Sequence, residues 1–251
     1  MKVRRFRVRR ENIFGLRAII DDPREVRHIC KVLRLGEGDT VFLFDGEGKE
    51  YRASITGASP KQITLALAPE EPSPQAGTSL RILLGMALLK SSKFEWVLQK
   101  TTELGVFEVL PFSSSRVIPR RQEEPSAARL ARWEKIVSEA ARQCGRSVVP
   151  RVHPPRSFEE LLQTDRGEAT RIFLWEKEKT KSLGEALTES VPQIFLLVGP
   201  EGGFSDPEAL RAQQAGFQPV RLGPRTLRAE TAAIAGVTLL QFIRGDLGRQ
   251  D

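Results

Sequence analysis

Residues 194–232 read IFLLVGPEGGFSDPEALRAQQAGFQPVRLGPRTLRAETA, and their interpretation decides the fold. Two apolar runs here each give way to a glycine-bearing turn. The first turn is Val198-Gly199-Pro200-Glu201-Gly202-Gly203-Phe204; the second is Leu222-Gly223-Pro224-Arg225-Thr226-Leu227-Arg228. Between them Ser205-Asp206-Pro207 has the marks of a helix start: a hydroxyl cap, an acid for the dipole and a first-turn proline. A longer apolar helix is expected to begin near Glu230, with Thr231, Ala232, Ala233 and Ala235 keeping its start small-sided. Glycine lets main-chain amides and carbonyls approach a ligand closely, as happens at the ends of parallel strands. The two turns therefore predict a shallow pocket walled by backbone and by Leu197, Leu222 and Leu227. Such a pocket suits an adenine-bearing cofactor held by backbone hydrogen bonds and apolar contact. It is not a Walker loop, because no Lys-Ser or Lys-Thr follows the glycines. It is not the GxGxxG dinucleotide fingerprint either, and it comes too late in the chain for a first βαβ unit. Taken alone, the first turn could be structural punctuation.

Upstream of this stretch, apolar strands alternate with amphipathic helices from Leu80 onward. LRILLGMAL (80–88), VFEVLPF (106–112), RIFLWE (171–176) and QIFLLVG (193–199) read as strands. SKFEWVLQKTTELG (92–105) and SAARLARWEKIVSEAARQCG (126–145) read as helices, the former ending at Gly105. That alternation argues for a mainly parallel, doubly wound α/β sheet. Residues 1–70 have a different character. Val3, Phe6 and Val8 lie on an extended basic strand, and Pro23 opens a helix with Val26, Ile29, Cys30 and Leu33 at helical spacing. Its other face carries Arg24, Arg27, Lys31 and Arg34. Three further strands, TVFLFDG (40–46), EYRASITGA (50–58) and KQITLALAP (61–69), are separated by Asp45-Gly46 and Ser59-Pro60. A sheet or barrel of about five strands with one helix is expected, of the kind that often presents a charged face to RNA. The proline-rich run PEEPSPQAGT (69–78) reads as a linker. The predicted organisation is thus a small β domain over 1–70, a linker over 71–78 and an α/β domain over 79–251.

Composition narrows the function classes. A chain of 251 residues, 40% hydrophobic and 28% charged, can bury a sizeable core and reads as soluble. It has no apolar run of membrane-spanning length, and MKVRRFRVRR lacks the apolar region of a secretory signal, so a cytoplasmic location is expected. Cys30 and Cys144 are far apart, and His28 beside Cys30 does not make a metal site; no metal is expected. Bases outnumber acids, 39 to 32, which points to a polyanionic partner. Lys2, Arg4, Arg5, Arg7, Arg9 and Arg10 concentrate that charge in ten residues, although a solvated charged strand would look the same.

GPEGGFSDPE (199–208) followed by LGPRTLRAETA (222–232) resembles the SPOUT class of methyltransferases and, within it, the RsmE family. RRFRV (4–8), HICKVLR (28–34) and FDG (44–46) resemble that family's PUA-like RNA-binding domain. KTTELGV (100–106) and EAARQCGR (139–146) resemble further signatures, so the likeness covers nearly the whole chain. It implies S-adenosylmethionine-dependent methylation of a uridine N3 in the 16S ribosomal RNA of the small subunit. It also implies a PUA-like β-barrel, an α/β domain tied in a deep trefoil knot, and a homodimer with active sites at the subunit interface. Motif by motif, the cofactor would be held by Leu197, Val198, Gly199, Pro200, Glu201, Gly202 and Gly203. The second loop would add Leu222, Gly223, Leu227, Arg228 and Ala229, with Thr231 and Ala232 beyond. The strand Phe173–Glu176 would supply a third edge through Leu174 and Trp175. Thr226 stands where Ile is usual and Cys144 where Ser is usual; neither touches a charge, so only fine pocket shape is affected.

Transfer to N3 requires loss of the imide proton, which a protein can assist by positioning, by a base or by a cation beside the developing charge. Arg228 is the candidate cation. Glu230 is either the base or simply a favourable charge at its helix N-terminus. Arg4, Arg5, Arg7, Arg27, Lys31, Arg34, Arg142 and Arg146 are candidate RNA contacts, and Arg116, Arg120 and Arg121 could extend that surface. Lys93, like Arg142 and Arg146, lies on a further signature and would hold phosphates or the dimer partner; for Lys93, as for Arg116, Arg120 and Arg121, a solvated face is at least an equal reading. Two competing functions remain: a SPOUT ribose 2′-O-methyltransferase and a non-catalytic ribosome-binding assembly factor. The former tends to carry an Asn- and Ser-rich second loop, unlike Arg225-Thr226-Leu227-Arg228-Ala229-Glu230-Thr231.

Overall fold

Alternate residues along the N-terminal strands turn inward and build one six-stranded sheet. Its strands are β1 (Arg5–Arg7), β2 (Ile13–Phe14), β3 (Arg17–Ile20), β4 (Thr40–Phe44), β5 (Glu50–Ala58) and β6 (Ile63–Leu67), ordered β1-β4-β5-β6-β3-β2. The β1–β4 pair is parallel and the others are antiparallel. Phe6, Val41, Leu43, Ala53, Ile55, Ile63 and Leu65 form the core beneath it. Helix α1 (Pro23–Arg27) is capped by Asp22, whose carboxylate accepts from the Arg24 and Glu25 amides. It runs on into a π-helical turn, His28–Val32, that buries Ile29. The β2–β3 hairpin turns at Gly15, which has φ +60°, and was not foreseen from the sequence; a two-residue strand is too short to show alternation.

The computed structural model describes residues 4–68, 80–115, 127–165, 167–187 and 192–248. The expected linker over 71–78 and the basic residues Lys2, Arg116, Arg120 and Arg121 lie outside the described residues. Two compact units emerge: Met1–Gly77 with Ala141–Val149, and Thr78–Ala140 with Pro150–Asp251. Membership of Ala141–Val149 in the first unit has a visible cause. Gly46 and Glu47 form β-bridges with Val148, and the Val149 amide donates to the Gly46 carbonyl.

The second unit is a seven-stranded, all-parallel sheet. Its strands are β7 (Arg81–Ala87), β8 (Glu108–Ser113), β9 (Arg151–Val152), β10 (Arg156–Ser157), β11 (Thr170–Leu174), β12 (Gln193–Val198) and β13 (Gln218–Val220). They run in the order β10-β8-β7-β12-β11-β13, with β9 also on β8. The helices are α2 (Ser91–Glu103), α3 (Ala127–Cys144, in this unit up to Ala140), α4 (Phe158–Leu162), α5 (Leu183–Ala186), α6 (Asp206–Gln214) and α7 (Ala229–Arg244). The strand order positions the site. After β8 and its short companions the chain crosses to β11; β12 then inserts between β11 and β7, and β13 lies beyond β11. Ligands of open parallel sheets bind outside the strands' carboxyl ends at such changes of direction. Phe204, from the first glycine turn, is fully buried against Phe112, Phe158 and Phe173, with ring centroids 5.6–6.2 Å away. A buried phenylalanine contributes about 1.5–3 kcal/mol, so this ring pins the far end of its loop to the core.

Candidate active site

Three neighbouring strands finish level with one another: Leu174 at the end of β11 lies opposite both Val198 and Val220. Beyond each the chain turns, and the three turns enclose a cavity of about 260 Å³. Leu174, Val198 and Val220 line it together with Ala229 and Ala232 of α7, and the turns contribute Gly199–Gly203, Arg221–Leu227, Trp175, Glu176 and Glu178. Gly199, Gly202, Gly203 and Gly223 make parts of that wall main chain alone. Gly203 has φ +68°, and a Cβ there would run into the Glu176 carboxylate; one on Gly199 would lie 3.1 Å from the Phe204 ring. The Gly203 amide donates to the Pro200 carbonyl at 2.9 Å, closing the first turn. Gly223, at φ +89°, opens the second.

Side chains then fix the turns in place. Ser205 caps α6 through a reciprocal box with Glu208. The other oxygen of Glu208 accepts from the Ser114 hydroxyl at 2.8 Å and the Ser115 amide at 2.9 Å, tying the end of β8 to the start of α6. Glu208 is only 1% exposed. Burial alone would push its carboxyl up, but hydrogen bonds from the Ser205 and Ser115 amides and the Ser205 and Ser114 hydroxyls more than reverse this, holding it at about 2. Glu178 is likewise pulled down to about 2, chiefly by the Thr180 hydroxyl and then by the Lys181 and Thr180 amides.

At the rim, charges converge from three elements. Lys93, in the first turn of α2, hydrogen-bonds and ion-pairs with Glu201 and lies 3.4 Å from Glu230. The Lys93 ammonium is held above its usual range, first by the Glu201 hydrogen bond, and Glu201 is held below its own by the same bond. Glu230 is 7% exposed, and its second carboxylate oxygen is buried with no hydrogen-bond partner among the described residues. The indole Nε1 of Trp175 is another such orphan. Arg228 is the exposed N-cap of α7, close enough for its charge to help hold Glu201 low.

Comparison with known proteins shows the family. The model of the RNA methyltransferase domain family matches residues 77–241, and that of the RNA methyltransferase PUA domain matches residues 20–67. The ribosomal RNA small subunit methyltransferase E of Bacillus subtilis is 30% identical over 232 residues, covering 88% of this chain and 90% of that protein. The chain belongs to the ribosomal RNA small subunit methyltransferase E family. Its counterpart in Synechocystis is 36% identical over 83% of this chain and 67% of its own. Among solved structures, that of the Neisseria gonorrhoeae family member bound to S-adenosylmethionine superposes with a TM-score of 0.87 at 34% identity, covering 98% of this chain and 99% of that one. A Legionella pneumophila protein in complex with the same cofactor also gives 0.87, at 32% identity over 98% of this chain and all of that one.

The residues to which the methyltransferase E signatures point fall in several places. Leu174, Trp175, Val198, Gly199, Pro200, Glu201, Gly202, Gly203, Leu222, Gly223, Leu227, Ala229 and Ala232 line the cavity. Leu197 does not: strand alternation turns it into the core, where it is fully buried in one cluster with Phe173 and Phe195. Arg228 and Thr231 are exposed and outside the lining. Pro224, Arg225 and Thr226 of the second loop and Glu176 at the end of the expected third edge line it too, and Glu178, Val220 and Arg221 line it without belonging to any expected segment. The rule that ligands sit beyond strand ends, applied evenly to all three strands, would have found them. Lys93 also joins the site, which its position on a helix face did not reveal.

In the first unit Arg4, Arg7, Arg27, Lys31 and Arg34 are exposed. Arg5 is different: it pairs with Glu50, with both side chains 12% exposed, and its guanidinium lies 5.5 Å from the Phe44 ring centroid. Arg142 and Arg146 are half-buried and belong to the Ala141–Val149 segment of this unit. No helix among the described residues is long and apolar enough to cross a membrane, and no group of three His, Cys, Asp or Glu among them could hold a metal ion.

Proposed function

We propose that this chain methylates N3 of a uridine in small-subunit 16S ribosomal RNA, using S-adenosylmethionine, as a homodimer in the cytoplasm. The observation that carries the reading is the cavity of glycine-walled turns at the level ends of β11, β12 and β13. The residues present fit the cofactor. Backbone groups of Gly199–Gly203 and Leu222–Leu227 would hold its polar edges, the Trp175 Nε1 offers a donor lacking a partner, and Leu174, Val198 and Leu227 offer apolar contact. The carboxylates of Glu176, Glu178 and Glu201 in the wall suit a ligand with a cationic centre. When bound, S-adenosylmethionine supplies the methyl as an electrophile on a positively charged sulfur.

The chain's own part is orientation and proton management. Glu230 takes the N3 proton, and Arg228, one residue from the cavity wall at Ala229, lowers the cost of the charge that develops on the uracil ring. The exposed arginines and lysine of the first unit carry the RNA backbone. Dimerisation is supported by Trp96 of α2 and by Leu239, Phe242 and Ile243 of α7, all exposed large hydrophobic residues. The deep trefoil knot of the resembling family belongs to the same reading.

Mass mapping of nucleosides tests it: small subunits or their RNA, lacking the modification, are incubated with the protein and S-adenosylmethionine. N3-methyluridine at one position is expected. A 2′-O-methylated nucleoside would favour the ribose methyltransferase alternative, and cofactor binding without any methylation would favour an assembly factor.

A further inference from the structure

We propose that Lys93 is a positioning residue for methyl transfer, holding the first glycine turn and the start of α7 together through one shared ammonium group. The inference rests on the methyltransferase reading and deepens it. Lys93 lies in the first turn of α2, an element that contributes nothing to the cavity wall. Its ammonium reaches Glu201, which does line the wall, and Glu230 at 3.4 Å, in the first turn of α7. Three elements far apart in sequence are thereby joined at one point.

An exposed lysine–glutamate pair contributes little, because water screens it and two flexible side chains must be ordered. With Lys93 33% and Glu201 44% exposed, their contact alone would be unremarkable. Glu230 changes the case. Its side chain is 9% exposed, and among the described residues Lys93 is the only cation within ion-pairing distance of it. Without the ammonium, two carboxylates would face each other, one of them buried and lacking a counter-ion, which is strongly unfavourable. The relief available is to part the loop from the helix. Parting them moves Arg228, the N-cap of α7, and Ala229 and Ala232, which line the cavity. The backbone cradle of Gly199–Gly203 stays anchored by Phe204, so cofactor affinity falls far less than alignment does.

The test compares Lys93→Met, Lys93→Gln and Lys93→Arg with wild type in single-turnover methylation of small subunits, with cofactor affinity measured by calorimetry and folding by thermal melts. A misplacement of an ångström can cost about 100-fold in rate, so Lys93→Met and Lys93→Gln should slow transfer about 10- to 100-fold, and Lys93→Arg should recover most of it. The dissociation constant for S-adenosylmethionine should change less than about threefold, and adding Lys93→Met to Glu230→Gln should produce little further loss, as expected for residues acting as one unit. Wild-type rates in the folded Met and Gln variants, or a loss that multiplies undiminished onto Glu230→Gln, would overturn the proposal. Failure of wild type itself to methylate would instead overturn the functional reading.

Discussion

Replacing Glu208 with Gln should destabilise the second unit in a manner that depends on pH. The carboxylate accepts four hydrogen bonds, from the Ser205 amide and hydroxyl through one oxygen and from the Ser114 hydroxyl and Ser115 amide through the other. Together they hold its carboxyl at about 2 against an ordinary 4.5. A carboxyl depressed on folding adds stability above its unfolded pKa, and that stability is lost as pH falls through the folded value. At about 1.4 kcal/mol per pH unit, the gap is worth about 3 kcal/mol near neutrality, of which about 2 kcal/mol disappears between about pH 5 and pH 3. Urea denaturation of wild type and Glu208→Gln across that range, read by tryptophan fluorescence, measures both terms. The variant should be less stable by about 2–3 kcal/mol at pH 7, and the difference should narrow as the solution is acidified. A difference that stays constant with pH would refute the reasoning, because it would mean that shape rather than ionisation holds the cap. So would a difference below about 1 kcal/mol at neutrality, the level expected of a surface contact.

Gly203→Ala forces a side chain into a left-handed backbone and into the Glu176 carboxylate; cofactor affinity should fall at least about tenfold, since left-handed backbone alone costs roughly 1–2 kcal/mol. Calorimetric titration would show it, and unchanged affinity would remove this turn from the cofactor wall. Arg228→Ala should reduce methylation by about 100-fold or more, the scale of losing one charge-stabilising donor, while leaving S-adenosylmethionine binding intact. Normal turnover would exclude it from the chemistry. Affinity for ribosomal RNA should drop steeply as salt is raised, about 10³-fold or more between 50 and 200 mM if six or more phosphates are contacted. A flat response would contradict an electrostatic footprint. Phe242→Asp places a charge on the exposed apolar stretch of α7, the proposed dimer face, and should shift sedimentation of the proposed dimer towards monomer; an unaltered dimer profile would relocate the interface.

Much of the second unit was legible because its signals are local. Ser205 with Asp206-Pro207 announces the start of α6, Gly105 the end of α2, and unbroken apolar runs the buried parallel strands. The two glycine turns were readable because a residue that must adopt φ +68° or +89° leaves glycine in the sequence. Leu197 is the exception: proximity to the first turn and motif likeness both point to the wall, whereas strand alternation turns its side chain into the core. Long-range features left no such trace. Val148 meets Gly46 across about a hundred residues, and Lys93 meets Glu201 and Glu230 across more. A lysine on a helix face has the same sequence signature whether it faces water or two carboxylates. Arg5 shows the converse: it sits in a run of basic residues, yet its guanidinium pairs with Glu50 of β5, on the far side of β4.

The first glycine turn has a consequence for how this cavity can change. Five of its lining positions, Gly199 to Gly203, are held at one end by β12 and at the other by the buried ring of Phe204. Because three of these five residues are glycines, only Pro200 and Glu201 offer side chains there for exchange. New preference for a cofactor analogue would have to come from altering loop length or from the lining residues that carry polar or large side chains, among them Trp175, Glu176, Glu201 and Arg225. Laboratory evolution for altered donors should therefore enrich changes at those positions and insertions in the second turn, while the glycines of the first stay unreplaced.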